Sequence, residues 1–507
     1  MHCKKIRHVK PLYAYLLVNL EKEVSLLIKK LSVLSLTLIL VMFFIQPNLS
    51  YGFSKGKPDP SAPPGTWYIG DAPQVKTGSP ILFVHGLTGS ASTWFEPNDM
   101  YKKAQDAGHP TAFINLYPDQ SYWDNGEMLA NKLKEMYDHF GEKIVIVGHS
   151  KGGVDTQTAL LHYNAEQYVE EVFTLGTPHH GSQLANLAYS NWAGWLAGII
   201  GMRSPGTDSL RTGTMAHFRN QTDQLVSANS VPFQTLSGRS WGSFGTSLYF
   251  GGLYLSGYGT NDGAVTVDSS RLSYANEFAS LSLDHYAIAE GHRVFHYLQP
   301  QLANEIEKAD SSSSDTGMIV RGGELAGETV QSFQLEKDID KVTFSVLAHE
   351  KMPAMQLVSP DGVETSIQAT EKEHAQSMFA GAYSHFIELD QPESGTWTLE
   401  MNSATEGGFV AIATIEGGLS ADYQTEDDVA QAFDADPSDV MYSIHINDQL
   451  QIENESVDSV HSFQLPAAKN ASQTITTDYE GVTEDGTPFE RTVIEHIYVD
   501  NKGNIFD

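Results

Sequence analysis

Residues 143–153 read KIVIVGHSKGG, and this run constrains the chain more than any other. Four consecutive apolar residues, Ile144 to Val147, are all β-branched and describe a strand buried on both faces, as in a parallel sheet. A Gly-x-Ser-x-Gly turn follows, with Gly148 and Gly152 flanking Ser150, and leads into a helix-compatible stretch carrying Val154, Thr158, Leu161 and Tyr163. A strand, a sharp turn and a helix hold a serine in a strained backbone conformation and present its hydroxyl; the glycines lack side chains where the two elements approach. A second match, Gly238-Arg239-Ser240-Trp241-Gly242, also follows an extended segment. It leads into SFGTSLYFGGLYLSGYG, which has no helical period, so Ser150 is the expected nucleophile and Ser240 the decoy.

Around this run, residues 53–302 alternate short apolar runs with helix-compatible stretches. Strands are predicted at 81–84, 111–116, 143–147, 171–175 and 233–236, and helices at 99–107, 125–140 and 153–164. This is the grammar of an α/β fold with a doubly wound, mainly parallel sheet. Residues 303–317 include four consecutive serines, Ser311 to Ser314, and read as a linker. From 318 to 420 short alternating runs such as KVTFSVLA and FVAIATI are separated by turn residues, which predicts an antiparallel β-sandwich. Residues 421–507 are acidic and strand-rich in pattern, with a helix-compatible start at 425–435, and match no fold from sequence.

The amino end carries Lys29-Lys30, an apolar run at 31–45, a break at Pro47 and small or polar residues up to Gly52. Residues 1–52 are therefore expected to be a secretory signal with a basic amino-terminal extension. The competing reading is an uncleaved anchor, for which the apolar run is short. The single cysteine, Cys3, falls in this segment, so the mature chain has no disulfide, no thiol catalysis and no cysteine-based zinc site. The net charge of −32 is concentrated in residues 303–507, which hold 39 acidic and 9 basic side chains, against 22 and 15 in 53–302. Such a surface disfavours nucleic acid and anionic membranes and favours solubility or cation binding. A secreted protein, free or held at the cell surface, is the expectation.

Serine chemistry needs a base, an acid to orient it and donors for an oxyanion. Asp262, in the glycine-flanked turn Thr260-Asn261-Asp262-Gly263, is the expected acid, with Asp268 and Asp155 as alternatives; Asp155 reads as solvent-facing or packing support. His285, in a loop between a strand-like run and a helix-compatible stretch, is the expected base. His292 is the alternative, and with His296 it falls on the following helix. The backbone N–H groups of Leu87, after the strand 81–84, and of Lys151, after the serine, are the expected oxyanion donors. His85 is expected to pack beneath that loop. Residues 183–229 open with the apolar QLANLAYSNWAGWLAGII and are expected to form a lid, the competing reading being a buried core helix. His179-His180 lacks an acidic partner for a metal site, and no EF-type calcium loop is present.

The segments FVHGLTGS (83–90), VGHSKGG (147–153), LGTPHHGS (175–182), NDGAV (261–265) and DHYAI (284–288) resemble, in order and separation, those of secreted bacterial lipases of the α/β-hydrolase superfamily. The resemblance implies hydrolysis of carboxylic esters of lipids through Ser150, His285 and Asp262, with no cofactor required. Structural calcium is common in such relatives. Lys151 departs from the pattern, since many of these lipases carry Gln or Met there. The SPDG turn (359–362) and the GTW run (395–397) resemble jelly-roll accessory domains of secreted hydrolases, which implies a stabilising, folding-assisting or binding role. A polyhydroxyalkanoate-type polyester depolymerase is a second reading, and an adhesive surface protein with a secondary hydrolase unit a third. The expected partners are a lipid or other ester and, transiently, a lipid interface or insoluble substrate; no protein partner is inferred.

Overall fold

The computed structural model describes residues 54–55, 58–95, 97–227, 230–301, 316–352, 355–367, 378–419, 432–433, 435–457 and 468–507. The predicted leader, the linker up to residue 315 and most of the acidic run at 425–435 lie outside them.

The first part is an eight-stranded sheet made of β1 (Ser54–Lys55), β2 (Trp67–Ile69), β3 (Ile81–Val84), β4 (Thr111–Ile114), β5 (Ile144–His149), β6 (Val169–Leu175), β7 (Phe233–Gly238) and β8 (Asn276–Leu281). Their order is β1-β2-β4-β3-β5-β6-β7-β8. Every pairing is parallel except β2 with β4. The β-branched run of β5 is buried throughout and splits by alternation. Val145 and Val147 pack with Phe83, Phe173 and Leu175 under Met100, Val294 and Leu298 on one face. Ile144 and Ile146 pack with Leu82, Val84 and Val172 under Leu129, Leu133 and Leu160 on the other.

Helices on this part are α1 (Met100–Asp106), α2 (Tyr122–Phe140), α3 (Lys151–His162), α4 (Gln183–Ala188), α5 (Gly194–Ile199), α6 (Pro205–Ser209), α7 (Thr212–Thr222), α8 (Ser247–Ser256) and α9 (Gly291–Gln301). The predicted lid region thus holds four short helices. Helix α4 buries Leu184, Ala185, Leu187 and Ala188, while Trp195 of α5 is 54% exposed. Helix α8 corrects the sequence reading, which found no helix after Ser240. Nine of its ten residues are buried, so all its faces are apolar or small and no amphipathic period exists to be read.

The rest is antiparallel. Strands β9 (Thr316–Leu335), β10 (Ile339–Ala348), β11 (Met355–Val358), β12 (Glu364–Ser366), β13 (Tyr383–Asp390) and β14 (Gly395–Gly417) form one sheet, ordered β12-β11-β14-β10-β13 with β9 also on β14. The β9–β14 ladder breaks register between Ser403 and Gly407, and side chains from both halves of β14, including Trp397, Leu399, Phe409 and Ala411, share one core. The sheet therefore folds over itself at the bulge. A further sheet of β15 (Val440–Ile446), β16 (Gln449–Ser456), β17 (Ala471–Val482), β18 (Pro488–Val499) and β19 (Ile505–Phe506) runs in the order β16-β15-β17-β18-β19. Buried Arg491 of β18 donates to Glu336 at 2.9 Å, tying the two antiparallel sheets together.

These sheets cover the α/β part. Leu184, Leu187, Leu196, Phe250 and Tyr254 share a core with Met318, Val320, Val410, Ile412, Phe379 and Ile494.

Candidate active site

Strand β5 ends at His149 and α3 begins at Lys151, leaving Ser150 at the junction with φ +53° and ψ −133°. Such a conformation costs a non-glycine residue about 1–3 kcal/mol, so the surroundings must impose it. They do so by close approach. A Cβ on Gly152 would stand 2.4 Å from the His85 carbonyl oxygen, and one on Gly86 2.7 Å from the Ser150 Cβ. The Ser150 N–H donates to the Leu175 carbonyl at 2.9 Å, anchoring the turn to β6.

Asp262 sits in the turn closed by the Asn261–Thr266 bridge. Its Oδ1 accepts the N–H groups of Ala264 at 2.9 Å and Val265 at 2.7 Å. Its Oδ2 is left to face His285 Nδ1 at 2.8 Å. A carboxylate only accepts, so Nδ1 carries the proton and Nε2 presents a lone pair to Ser150 Oγ, 3.0 Å away. The chain between acid and base is pinned as well, because the His285 N–H donates to the Asp262 carbonyl at 2.9 Å. Asp262 is fully buried, and His285 and Ser150 are 5% and 9% exposed.

Two glycines make room for the acid. A Cβ on Gly176, which has φ +55°, would meet Asp262 Oδ2 at 2.9 Å, and one on Gly238 would meet Asp262 Cβ at 2.7 Å. The second Gly-x-Ser-x-Gly match therefore does bear on the site, through its first glycine. The Ser240 hydroxyl donates to the Trp241 carbonyl at 3.4 Å and its N–H to the Leu283 carbonyl at 3.3 Å.

The other sequence candidates lie elsewhere. His292, on α9, is exposed and faces Asp99 at 3.4 Å. Asp268 pairs with Arg271 at 2.8 Å. Of the two readings of Asp155, solvent-facing or packing support, the structure has the second: it is 2% exposed and takes the Lys151 ammonium at 2.6 Å, an i,i+4 pair inside α3. Buried His179 faces Thr174 Oγ1 at 3.2 Å, and among the described residues no group of three or more His, Cys, Asp or Glu could hold a metal ion.

Two further histidines brace the site. His85 Nε2 accepts the Leu116 N–H at 3.0 Å, so Nδ1 carries the proton and donates to the Gly86 carbonyl at 2.8 Å. Burial pushes its pKa down to about 4, opposed by the Gly86 hydrogen bond, with the nearby Lys151 charge lowering it further. Sequence reasoning passed over His149, whose Nε2 donates to the His285 carbonyl at 2.7 Å and whose ring lies 4.8 Å from that of His285. Burial, then the neighbouring His285, push His149 down to about 3. Its position directly before Ser150, on a strand end that must face the returning His285 loop, was the available signal.

Ser150 and His285 open onto a cavity of about 50 Å³, lined by Leu87, Leu184, Leu248, Val265, Met378 and Phe379 among others. That holds a water or two, whereas a pocket for a sizeable organic ligand takes about 300 Å³ or more. The last two lining residues come from the antiparallel region, which no sequence signal had placed at the site.

The sheet and the elbow have the architecture of the α/β-hydrolase fold, with Ser150, His285 and Asp262 in one hydrogen-bonded line. Residues 122–190 match the PGAP1-like alpha/beta domain family. Triacylglycerol lipases of Pseudarthrobacter phenanthrenivorans and Burkholderia plantarii are each 30% identical over 120 residues, which is 22% of this chain and 36% and 32% of theirs. The chain thus spans about a third of the length of these curated relatives. The crystal structure of Bacillus licheniformis lipase BlEst2 in its propeptide form is 37% identical, with a TM-score of 0.80 over 88% of this chain and 100% of that one. The chain belongs to the lipase family of that enzyme. Among the described residues no helix is long and apolar enough to cross a membrane.

Proposed function

We propose that this chain is a secreted lipase or carboxylesterase that cleaves lipid esters through a Ser150 acyl-enzyme. The supporting observation is the hydrogen-bonded line from Asp262 Oδ2 through both nitrogens of His285 to Ser150 Oγ. His285 Nε2 takes the hydroxyl proton as Oγ attacks the ester carbonyl, and Asp262 steadies the imidazolium. The N–H groups of Leu87 and Lys151 receive the oxyanion; Lys151 opens α3, where its N–H has no intrahelical acceptor. The imidazolium then protonates the departing alcohol, and water activated by the same nitrogen releases the acid and restores the serine. Comparing wild type with Ser150→Ala on p-nitrophenyl esters of graded length, triglyceride emulsion and polyester film tests this. Activity surviving in Ser150→Ala, or wild type inert on every ester both intact and after cleavage within 303–315, overturns it; preference for film selects the depolymerase reading.

A second element of the proposal concerns residues 316–507, which act as a cover that is removed or displaced before turnover. Met378 and Phe379 fill space beside Ser150, leaving too little volume for an ester, and the similar Bacillus structure is described as a propeptide form. Cleavage within 303–315 followed by release of the cover is expected to raise the rate on soluble esters. An unchanged rate after release refutes this element and leaves the first intact.

A further inference from the structure

Lys151 is the position where this chain departs from the lipase pattern, and its side chain begins a hydrogen-bonded path. Lys151 Nζ donates to Asp155 Oδ1 at 2.6 Å, and Asp155 Oδ2 accepts from Asn125 Nδ2 of α2 at 2.9 Å. All three side chains are 1–2% exposed. Asn125 spends the rest of its amide on one residue: Oδ1 accepts the Tyr117 N–H at 3.0 Å, and Nδ2 donates to the Tyr117 carbonyl at 3.0 Å. The residues on either side of Tyr117 grip the loop after β3. The Leu116 N–H donates to His85 Nε2 at 3.0 Å, and the Pro118 carbonyl accepts the Thr88 N–H at 2.8 Å. Thr88 has φ +58°, a conformation that needs such a hold. His85 and Thr88 bracket Gly86-Leu87, so the path runs from the residue bearing one expected oxyanion donor to the loop bearing the other.

We infer that Lys151, Asp155 and Asn125 are positioning residues whose buried side chains fix the Leu87 and Lys151 N–H groups relative to each other, setting the geometry of the oxyanion site. This rests on the ester-hydrolase reading. A pair of opposite charges sealed from water is a weak source of net stability, and its attested use is to fix one arrangement over others. Burial raises the pKa of the Asp155 carboxyl, with Lys151 and Asn125 drawing it back, so this ionised pair depends on both partners. Tetrahedral charge is stabilised only by donors held at the right separation before reaction, so loosening this path affects the transition state more than substrate binding.

The test compares full-length wild type with Asn125→Ala and Asp155→Asn, using Asn131→Ala, an exposed site on the same helix, as control. Active molecules are counted with a fluorophosphonate that labels Ser150. The readouts are kcat and KM on p-nitrophenyl butyrate and the Ki of butylboronic acid, which forms a tetrahedral adduct at the serine. The expected result is a fall in kcat of about 10- to 100-fold with KM within threefold, and a Ki raised by a similar factor. Asn125→Ala introduces no buried charge and carries the test if Asp155→Asn does not fold. A kcat within twofold of wild type in Asn125→Ala overturns the inference, as does a reduced kcat with unchanged boronic acid affinity. Wild type that is neither labelled nor active, both intact and after cleavage within 303–315, refutes the hydrolase reading itself.

Discussion

Phe379 is the side chain through which the cover can be weighed. It is 3% exposed, its ring centroid lies 5.5 Å from that of Phe250 in an edge-on contact, and with Met378 it lines the cavity at Ser150. Truncating a buried phenylalanine to alanine costs about 3–5 kcal/mol. If about 3 kcal/mol of that falls on docking of this segment, the population with the segment displaced rises on the order of 100-fold. The initial rate of the Phe379→Ala protein on p-nitrophenyl butyrate, measured well below KM, is then expected to climb toward a ceiling set by the fully open enzyme. Phe344→Ala is the matched control, since Phe344 is 1% exposed in the antiparallel region's own core, against Phe333 and Trp397, and does not line the cavity. It should lower the melting temperature without raising the rate. A Phe379→Ala protein that melts cooperatively yet hydrolyses no faster than wild type refutes the reasoning.

Other outcomes follow from the same geometry. Asp262→Asn is expected to lower kcat on p-nitrophenyl butyrate by about 10⁴-fold, because an amide can turn its NH₂ toward His285 and favour the wrong tautomer. Gly238→Ala, whose Cβ would lie 2.6 Å from the Leu283 carbonyl and 2.7 Å from Asp262 Cβ, should cost about 1–3 kcal/mol in urea unfolding and reduce activity, whereas Ser240→Ala should leave activity unchanged. His149 is held at about 3 in the fold against an ordinary 6.5, so the unfolded chain takes up a proton first as pH falls. Its contribution to stability is therefore present above pH 6.5 and lost below it, by about 2 kcal/mol at pH 5. Burial raises the carboxyls of Asp478, Glu490 and Glu495, which titrate in the opposite sense. The discriminating measurement is thus the pH 7-to-5 difference in unfolding free energy, which should be about 2 kcal/mol smaller in His149→Gln than in wild type. Arg491→Met, which strands buried Glu336, should destabilise by about 3–5 kcal/mol in a thermal or urea melt.

The α/β part was legible because its signals are local. Ile144 to Val147 announce a doubly buried strand, and the glycines beside Ser150 carry a steric demand that the structure makes explicit at Gly152 and Gly86. Asp262 and His285 were readable as loop residues after strand-like runs, and the structure brings them together with Ser150. What escaped depends on contacts far apart in sequence. Helix α8 has no period because it is covered on all sides. Asp155 stayed open between solvent-facing and packing support because nothing in the sequence shows that α2 seals it with Asn125. Met378 and Phe379 reach the cavity only through the docking of a separate sheet, which no pattern near residue 378 encodes.

Helix α8 bears on how such a protein is handled once its cover is gone. Phe250 and Tyr254 are fully shielded while β9 and β14 lie against them. Stripping residues 316–507 hands that face to water in one contiguous apolar patch, bordered by Leu184 and Leu196. If the cover is released as proposed, the uncovered unit is expected to behave as an amphiphile that self-associates unless detergent is present, which size-exclusion chromatography with and without detergent checks.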